Sequence, residues 1–458
     1  MKMTLEPIRV QAPRMIAGKF LGGFVPAVAY HFGVLEVLEE RGFRLRRGFR
    51  APEEPRATGP PGFDLLVGSS AGAFFVTAAA AGATPEDLVG AAAEGAAFAP
   101  FQSDLLGSGP GLSLRMARWL AGGPRASWSA RKGWKSWAAE NTLNLLFPLW
   151  RLDPLQAYLR DEVLGGRDWE DLRTECSILA VDLNHPVTLI LGERESPVLG
   201  LLRREPVSPE AVHLVLGSEG RKIIDAFVRA GVDPEHPALG QYRERPDIRS
   251  TAIYARGVPM DCAAAGSMAA WPIYAPVDVA NRAGEPIRIG HYPLQVVDGE
   301  DRNPFTTDVA EEAGADLIVI SSITAPYKFL HGIGSLAGRG YTAIHEQKTA
   351  QSRDAKQEDV IRSHLEHRRL LHAARTVLLD HGCSRESMEL MEEEFHRICW
   401  LRNTRIRIFP DPDIGGENHV LRTLDPLEFT PRAIGRAFDL GRRVAERVLK
   451  RYRFEFLE

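Results

Sequence analysis

Apolar and polar positions along the chain follow two periods. Short apolar runs bounded by Gly, Pro or Asp read as buried strands at residues 15–20, 64–67, 176–183, 296–298 and 317–323, with 187–191 as a hairpin partner of 176–183. Between them, apolar residues recur at helical spacing. In residues 27–41, Val34, Leu35, Val37 and Leu38 make an apolar face, Glu36, Glu39 and Glu40 a wet one, and Gly42 a stop. Thr84, Pro85 and the pair Glu86-Asp87 mark a helix start, as does Asp153-Pro154 ahead of Leu155, Tyr158 and Leu159. Residues 168–172 read as a helical turn. Helices are predicted from Ser208, over 221–230, over a small-residue stretch from Asp261 that stops at Trp271-Pro272, and over 307–312. Strands alternating with helices argue for an α/β fold with a mainly parallel central sheet and helices on both faces.

From about Ala325 the chain turns helical and charged. Long helices are predicted over 359–379 and 386–398, with one more strand at 404–409. The last helix starts at Thr430 and Pro431. Its stripe of Ile434, Phe438, Gly441, Val444 and Val448 lies opposite Arg432, Arg436, Arg442, Arg443 and Arg447. Such a helix docks on a core or lies on an anionic membrane, and docking is the commoner outcome. The chain therefore divides into an α/β unit at 1–325 and a mainly helical region at 326–458 packed on it. Within the first unit, residues 98–150 break the pattern. They hold Trp119, Trp128, Trp134, Trp137 and Trp150 interleaved with Arg125, Arg131, Lys132 and Lys135. This insert suits a membrane interface or an apolar lid as well as it suits core packing.

The stretch that organises the chain is 63–81. A short strand leads into Gly68-Ser69-Ser70-Ala71-Gly72 and then an Ala-rich helix. Strand, G-x-S-x-G and helix in that order form a nucleophile elbow, with Ser70 at a sharp turn and a helix N-terminus behind it. Gly68 and Gly72 allow the close turn that a Cβ would block. Upstream, Leu21-Gly22-Gly23-Phe24 lies between a strand and a helix, a corner where amide N–H groups point outward. It reads as an oxyanion hole or as an ordinary β–α turn. The arginines of residues 44–61 read as a solvated loop.

Composition narrows the function. The chain has 458 residues, 44% of them hydrophobic, enough for a large core. A net charge of −4 with both signs abundant gives no nucleic-acid signature. Cys176, Cys262, Cys383 and Cys399 form no C-x-x-C pair, which suits a reducing compartment. The start of the chain lacks a signal-peptide pattern, and no run of about 18 apolar residues exists. A cytoplasmic protein, touching membranes peripherally at most, is expected.

Ser70 needs a proton acceptor. Most of the late histidines (His331, His345, His364, His367, His372, His381, His396 and His419) fall on charged helices, and none sits in a motif. His364 and His367 lack a third metal ligand and read as surface residues. Asp298 ends an apolar strand before Gly299, where a parallel sheet displays catalytic groups at its carboxyl edge. A held, desolvated carboxylate takes a serine proton. An Asp-Gly turn is the plainer reading.

Together these segments resemble the patatin-like phospholipase family. Leu21-Gly22-Gly23-Phe24 lies ahead of Tyr30-His31-Phe32-Gly33-Val34-Leu35, then comes Gly68-Ser69-Ser70-Ala71-Gly72, then Asp298-Gly299-Glu300. Residues 152–159, 178–182 and 264–277 and Asn303-Pro304 also look like the family. The resemblance covers about 16–323. It implies a three-layer α/β/α fold and a lipid acyl hydrolase that needs no cofactor or metal and acts on phospholipids or other acyl esters. It implies Ser70 as nucleophile, Asp298 as base, and N–H groups of Gly22, Gly23 and Phe24 as the oxyanion hole. The chain departs from the family's pattern at Phe24, Pro26 and Ala27 in the glycine loop, and at Glu300, whose charge beside Asp298 would raise that aspartate's pKa.

Overall fold

The structure, a computed structural model, describes residues 7–93, 151–184, 188–194, 252–270, 274–289, 292–300, 308–331, 334–335, 341–399, 403–424 and 430–457. The Trp-rich segment 98–150, the helices predicted from Ser208 and over 221–230, Trp271-Pro272 and Asn303-Pro304 lie outside these residues.

Thirteen strands are described: β1 (Ile8–Val10), β2 (Ile16–Phe20), β3 (Leu65–Ser69), β4 (Glu175–Asp182), β5 (Thr188–Gly192), β6 (Ala252–Ala255), β7 (Val277–Asp278), β8 (Arg288–Ile289), β9 (Tyr292–Pro293), β10 (Gln295–Asp298), β11 (Leu317–Ser321), β12 (Thr404–Ile408) and β13 (Tyr452–Phe454). Nine of them form one sheet. Its centre, in the order β12-β11-β2-β3-β4, is parallel throughout, and antiparallel pairs appear only at β4 and beyond. The fold is mixed α/β with a mostly parallel sheet. β1 and β13 pair in parallel near the two ends of the described chain.

Period-two alternation buries both faces of the sheet. Ile16, Phe20, Leu66, Ile178, Val319 and Ile406 face one core, which holds helix α1 (Phe24–Glu40) and helix α2 (Ala71–Ala81). Ala17, Leu65, Val67, Leu179, Ile318 and Ile320 face the other, closed by Val309 and Ala310 of the Asp308–Glu312 helix. Helix α3 (Pro85–Ala93) begins as its sequence indicates. Thr84 Oγ1 accepts from the Asp87 amide at 3.3 Å while Asp87 Oδ2 accepts from the Thr84 amide at 2.8 Å, a capping box.

The Pro431–Leu449 helix docks on α1, and its apolar stripe is consumed there. Two glycines let the backbones touch. A Cβ on Gly33 would lie 2.2 Å from the Phe438 carbonyl oxygen, and one on Gly441 would lie 2.1 Å from that of Tyr30. Arg442 reaches Glu36 and Glu40 across the contact, and Arg447 reaches Glu417.

Three readings of the sequence change. The helix predicted over 359–379 runs as Tyr341–Asp380, 40 residues. Its first half has no apolar period but is rich in strong helix formers and free of Gly and Pro, so propensity carries it. Arg46 and Arg56 are not loose surface charges. Arg46 donates to the carbonyls of Phe63 (3.0 Å) and Gly59 (2.5 Å), and Arg56 to those of Leu172 and Trp169, fixing the loop that leads into β3. Finally, β10 runs antiparallel to β4, so Asp298 does not end a parallel strand. Among the described residues, no helix is long and apolar enough to cross a membrane.

The glycine contact predicts opposite signs for two nearby substitutions. Gly441→Ala forces a methyl into the Tyr30 backbone and should lower the unfolding free energy by about 1–3 kcal/mol. Gly435, on the same helix with nothing within 4 Å of its Cβ position, should gain about 0.5–1 kcal/mol as Ala. Urea midpoints of the two variants check this; equal signs would contradict it.

Candidate active site

Ser70 sits between β3 and α2 with φ 53° and ψ −129°, the one positive-φ non-glycine residue among those described. Such backbone costs on the order of 1–3 kcal/mol and persists only where its surroundings impose it. Here the imposing contacts are close. A Cβ on Gly68 would lie 2.6 Å from the Gly72 carbonyl oxygen, and one on Gly72 would lie 2.0 Å from that of Phe20. Both glycines of G-x-S-x-G are therefore required by packing. Ser70 is the N-cap residue of α2, and its carbonyl accepts from the Ala73 amide at 2.8 Å. The helix thus presents its positive end beside the hydroxyl.

The sheet brings Asp298 to this point by an unexpected route. β4 pairs with β3 through Glu175 to Leu179 and with β10 through Ala180 to Asp182. β5 overlaps both spans, so it occupies the opposite edge and β3 and β10 share one edge. They run toward each other along it. β3 ends at Ser69 opposite Leu179, and β10 ends at Asp298 opposite Ala180. Two strand ends meet head to head, and their next side chains face each other. The Ser70 hydroxyl donates to Asp298 Oδ2 at 2.6 Å, within the range for a hydroxyl on a carboxylate. Asp298 Oδ1 accepts from the Glu300 amide at 2.8 Å, which fixes the carboxylate plane.

Ser267 ties this junction together. It is the last residue of the Met260–Ser267 helix and is fully buried. Its hydroxyl donates to the Leu179 carbonyl at 2.5 Å and accepts from the Ser70 amide at 2.8 Å. Its own carbonyl accepts from the Gly299 amide at 3.3 Å, and the Ala269 carbonyl accepts from the Asp298 amide at 3.2 Å. Gly299 has no room for a side chain, since a Cβ would lie 2.0 Å from the Leu179 carbonyl oxygen.

The glycine loop closes the site from the other side. Gly23 adopts φ 149°, where a Cβ would lie 2.2 Å from Ile323 Cγ2, and it caps α1, whose first residue is Phe24. Gly22 abuts Ser70: a Cβ there would lie 2.5 Å from Ser70 Cβ and 2.8 Å from Ser70 Oγ. The Gly22 amide donates to Glu300 Oε1, and the Ser69 hydroxyl donates to the same oxygen at 2.9 Å. Behind the loop, His31 Nε2 is 2.6 Å from the Leu21 carbonyl and Nδ1 is 2.8 Å from Ser321 Oγ. A carbonyl only accepts, so Nε2 carries the proton and Nδ1 accepts from Ser321. Burial pushes His31 down to about 4, and the neutral ring pins the loop to the end of β11.

Of the residues singled out from sequence, Ser70, Asp298, Gly22, Gly68, Gly72 and Gly299 converge on one point, with Gly23 and Phe24 at the adjoining start of α1. Sequence reasoning missed Ser267, buried in a run of small residues with nothing to distinguish it. It also missed that Glu300 reaches back to the glycine loop. Among the described residues, no group of three or more His, Cys, Asp or Glu could hold a metal ion.

No family model matches the chain, and no curated protein does. Among solved structures, the crystal structure of VipD from Legionella pneumophila matches with a TM-score of 0.30 and 11% identity, over 95% of this chain and 67% of that one. The reading of the site rests on its geometry.

The buried His31 gives a signed pH dependence. Its pKa is about 6.5 unfolded and about 4 folded, so the unfolded chain takes up a proton first as pH falls. Stability from this group is full above pH 6.5 and is lost down to pH 4, about 3 kcal/mol in total. Asp168, which burial raises to about 6, acts in the opposite direction as pH falls from 6 to 3.8, so comparison with a variant is needed. Between pH 7 and 4.5 wild type should lose about 2–3 kcal/mol more urea-unfolding free energy than His31→Gln. Parallel pH profiles would contradict this.

Proposed function

We propose that this protein is a serine acyl hydrolase with a patatin-like α/β/α catalytic unit, cleaving fatty acyl esters of the phospholipase A, lysophospholipase or esterase type. The observation that carries the reading is the 2.6 Å contact from the Ser70 hydroxyl to Asp298 Oδ2, made at a strained turn ahead of a helix. Ser70 Oγ attacks the ester carbonyl as Asp298 takes the hydroxyl proton. The tetrahedral intermediate collapses as Asp298 returns that proton to the leaving oxygen, the alcohol or lysolipid departs, and an acyl-Ser70 ester remains. Water then gives a proton to Asp298 and attacks that ester, releasing the fatty acid and restoring the hydroxyl. In this reading amide groups of the Gly22-Gly23-Phe24 loop receive the developing oxyanion.

In this reading residues 1–325 form the catalytic unit, and 326–458 pack on it through the last helix and β12. The substrate is a phospholipid or another acyl ester met at a membrane surface, with the protein cytoplasmic and peripheral to that membrane. The Trp-rich segment 98–150 is the best-suited contact by composition. A second reading is favoured by one observation, the Gly22 amide given to Glu300. It holds that the chain is a weakened enzyme kept for lipid or partner binding. Acyl transfer to an acceptor other than water would share the first half-reaction.

Hydrolysis of p-nitrophenyl acyl esters separates the readings. The wild type should turn over, with kcat falling at least 10³-fold in Ser70→Ala and in Asp298→Asn at unchanged melting temperature. A folded wild type without turnover and without fluorophosphonate labelling would favour binding alone. Product analysis by mass spectrometry should find free fatty acid; acyl esters of an added alcohol as the main product would favour transfer.

A further inference from the structure

Glu300 is a buried acidic side chain at this site that the hydrolytic cycle does not use. It is 4% exposed and lies two residues past Asp298. Its Oε1 accepts from the Gly22 amide and, at 2.9 Å, from the Ser69 hydroxyl. Those two donors converge on one oxygen and so form a small anion pocket. The pocket lies against the nucleophile. The point where a Gly22 Cβ would sit is 2.8 Å from Ser70 Oγ and 3.1 Å from the Glu300 carboxyl carbon. The Ser70 amide cannot substitute as a donor, since it is committed to Ser267.

We infer that Glu300 is the resident anion of the oxyanion pocket. Its carboxylate fills the Gly22 N–H and Ser69 O–H donors that an acyl oxyanion on Ser70 would otherwise take, and it sets the turnover rate by having to vacate them. This rests on the acyl-hydrolase reading of Ser70. Two physical effects act together. An amide already bonded to a carboxylate offers nothing to a second anion, and one missing oxyanion donor lowers kcat by about 10²–10³-fold. A negative charge in the pocket also repels the charge that develops in the transition state. Removing the carboxylate therefore speeds the reaction, whereas a residue that merely supported the fold would slow it when removed.

The test compares wild type with Glu300→Ala and with the near-isosteric Glu300→Gln, each checked for an unchanged circular-dichroism spectrum and melting temperature. Rates of p-nitrophenyl ester hydrolysis and of fluorophosphonate labelling are measured, together with inhibition by an alkyl trifluoromethyl ketone, whose hemiketal places an oxyanion in the same pocket. The expected result for Glu300→Ala is a kcat about 10- to 100-fold above wild type with KM within about threefold, and a trifluoromethyl ketone bound about 10-fold tighter or more. Glu300→Gln keeps a carbonyl on the donors but loses the charge, and should fall between the two. A wild type that turns over and variants that are folded but no faster would overturn the inference and leave the Ser70 reading standing. Absence of Ser70 labelling in wild type and both variants would overturn both. Labelling that appears only once Glu300 is replaced would support both.

Discussion

One hydrogen bond joins residues 228 positions apart, from the Ser70 hydroxyl to the Asp298 carboxylate, and much of the described fold exists in the geometry it needs. β3 delivers Ser70 and β10 delivers Asp298 along the same edge of β4 from opposite directions. Had β10 joined the sheet in parallel, its last residue would sit at the far end of β4. The longer β4 makes the meeting possible, because it extends three residues past the last pair with β3. The strain in the Ser70 backbone is held by Gly68 packed on Gly72, and Gly72 on the end of β2.

Around that bond lies a shell with little freedom. Ser267 commits its hydroxyl, its carbonyl and its helix end to Leu179, Ser70 and Gly299. His31, kept neutral by burial, holds the Leu21 carbonyl and hence the glycine loop beside Ser70. Each is a buried polar group whose partners are met, and removing either would leave a neighbour unsatisfied at about 1–3 kcal/mol. The same shell places Glu300 against Gly22. In the proposed reading, the shell that orders Ser70 for attack also holds a carboxylate where attack would generate charge.

Much of this was legible in the sequence because it rests on local rules. The elbow, the helix start at Thr84 and Pro85, the strands read at 15–20 and 317–323 and the docking stripe of the last helix each follow from spacing, caps or Gly and Pro placement. Asp298 was legible as a candidate base from its place before Gly299 at a strand end, and the family resemblance strengthened its pairing with Ser70; no local signal links positions so far apart. What escaped had no local signature. The direction of β10 is set by its partners. Ser267 and His31 matter through atoms contributed by distant strands. The first half of the Tyr341–Asp380 helix is polar all round, so periodicity is silent there. For Glu300 the sequence suggested a charge beside Asp298 but carried no sign that the side chain reaches the Gly22 amide.

The most direct test of the central claim is a crystal structure of the protein after reaction with a fluorophosphonate. The account predicts a single phosphonyl group on Ser70 Oγ, with Asp298 Oδ2 still beside that oxygen or bridged to the adduct through one water. An adduct on another residue, or Asp298 farther from Ser70 than one bridging water can span, would contradict it.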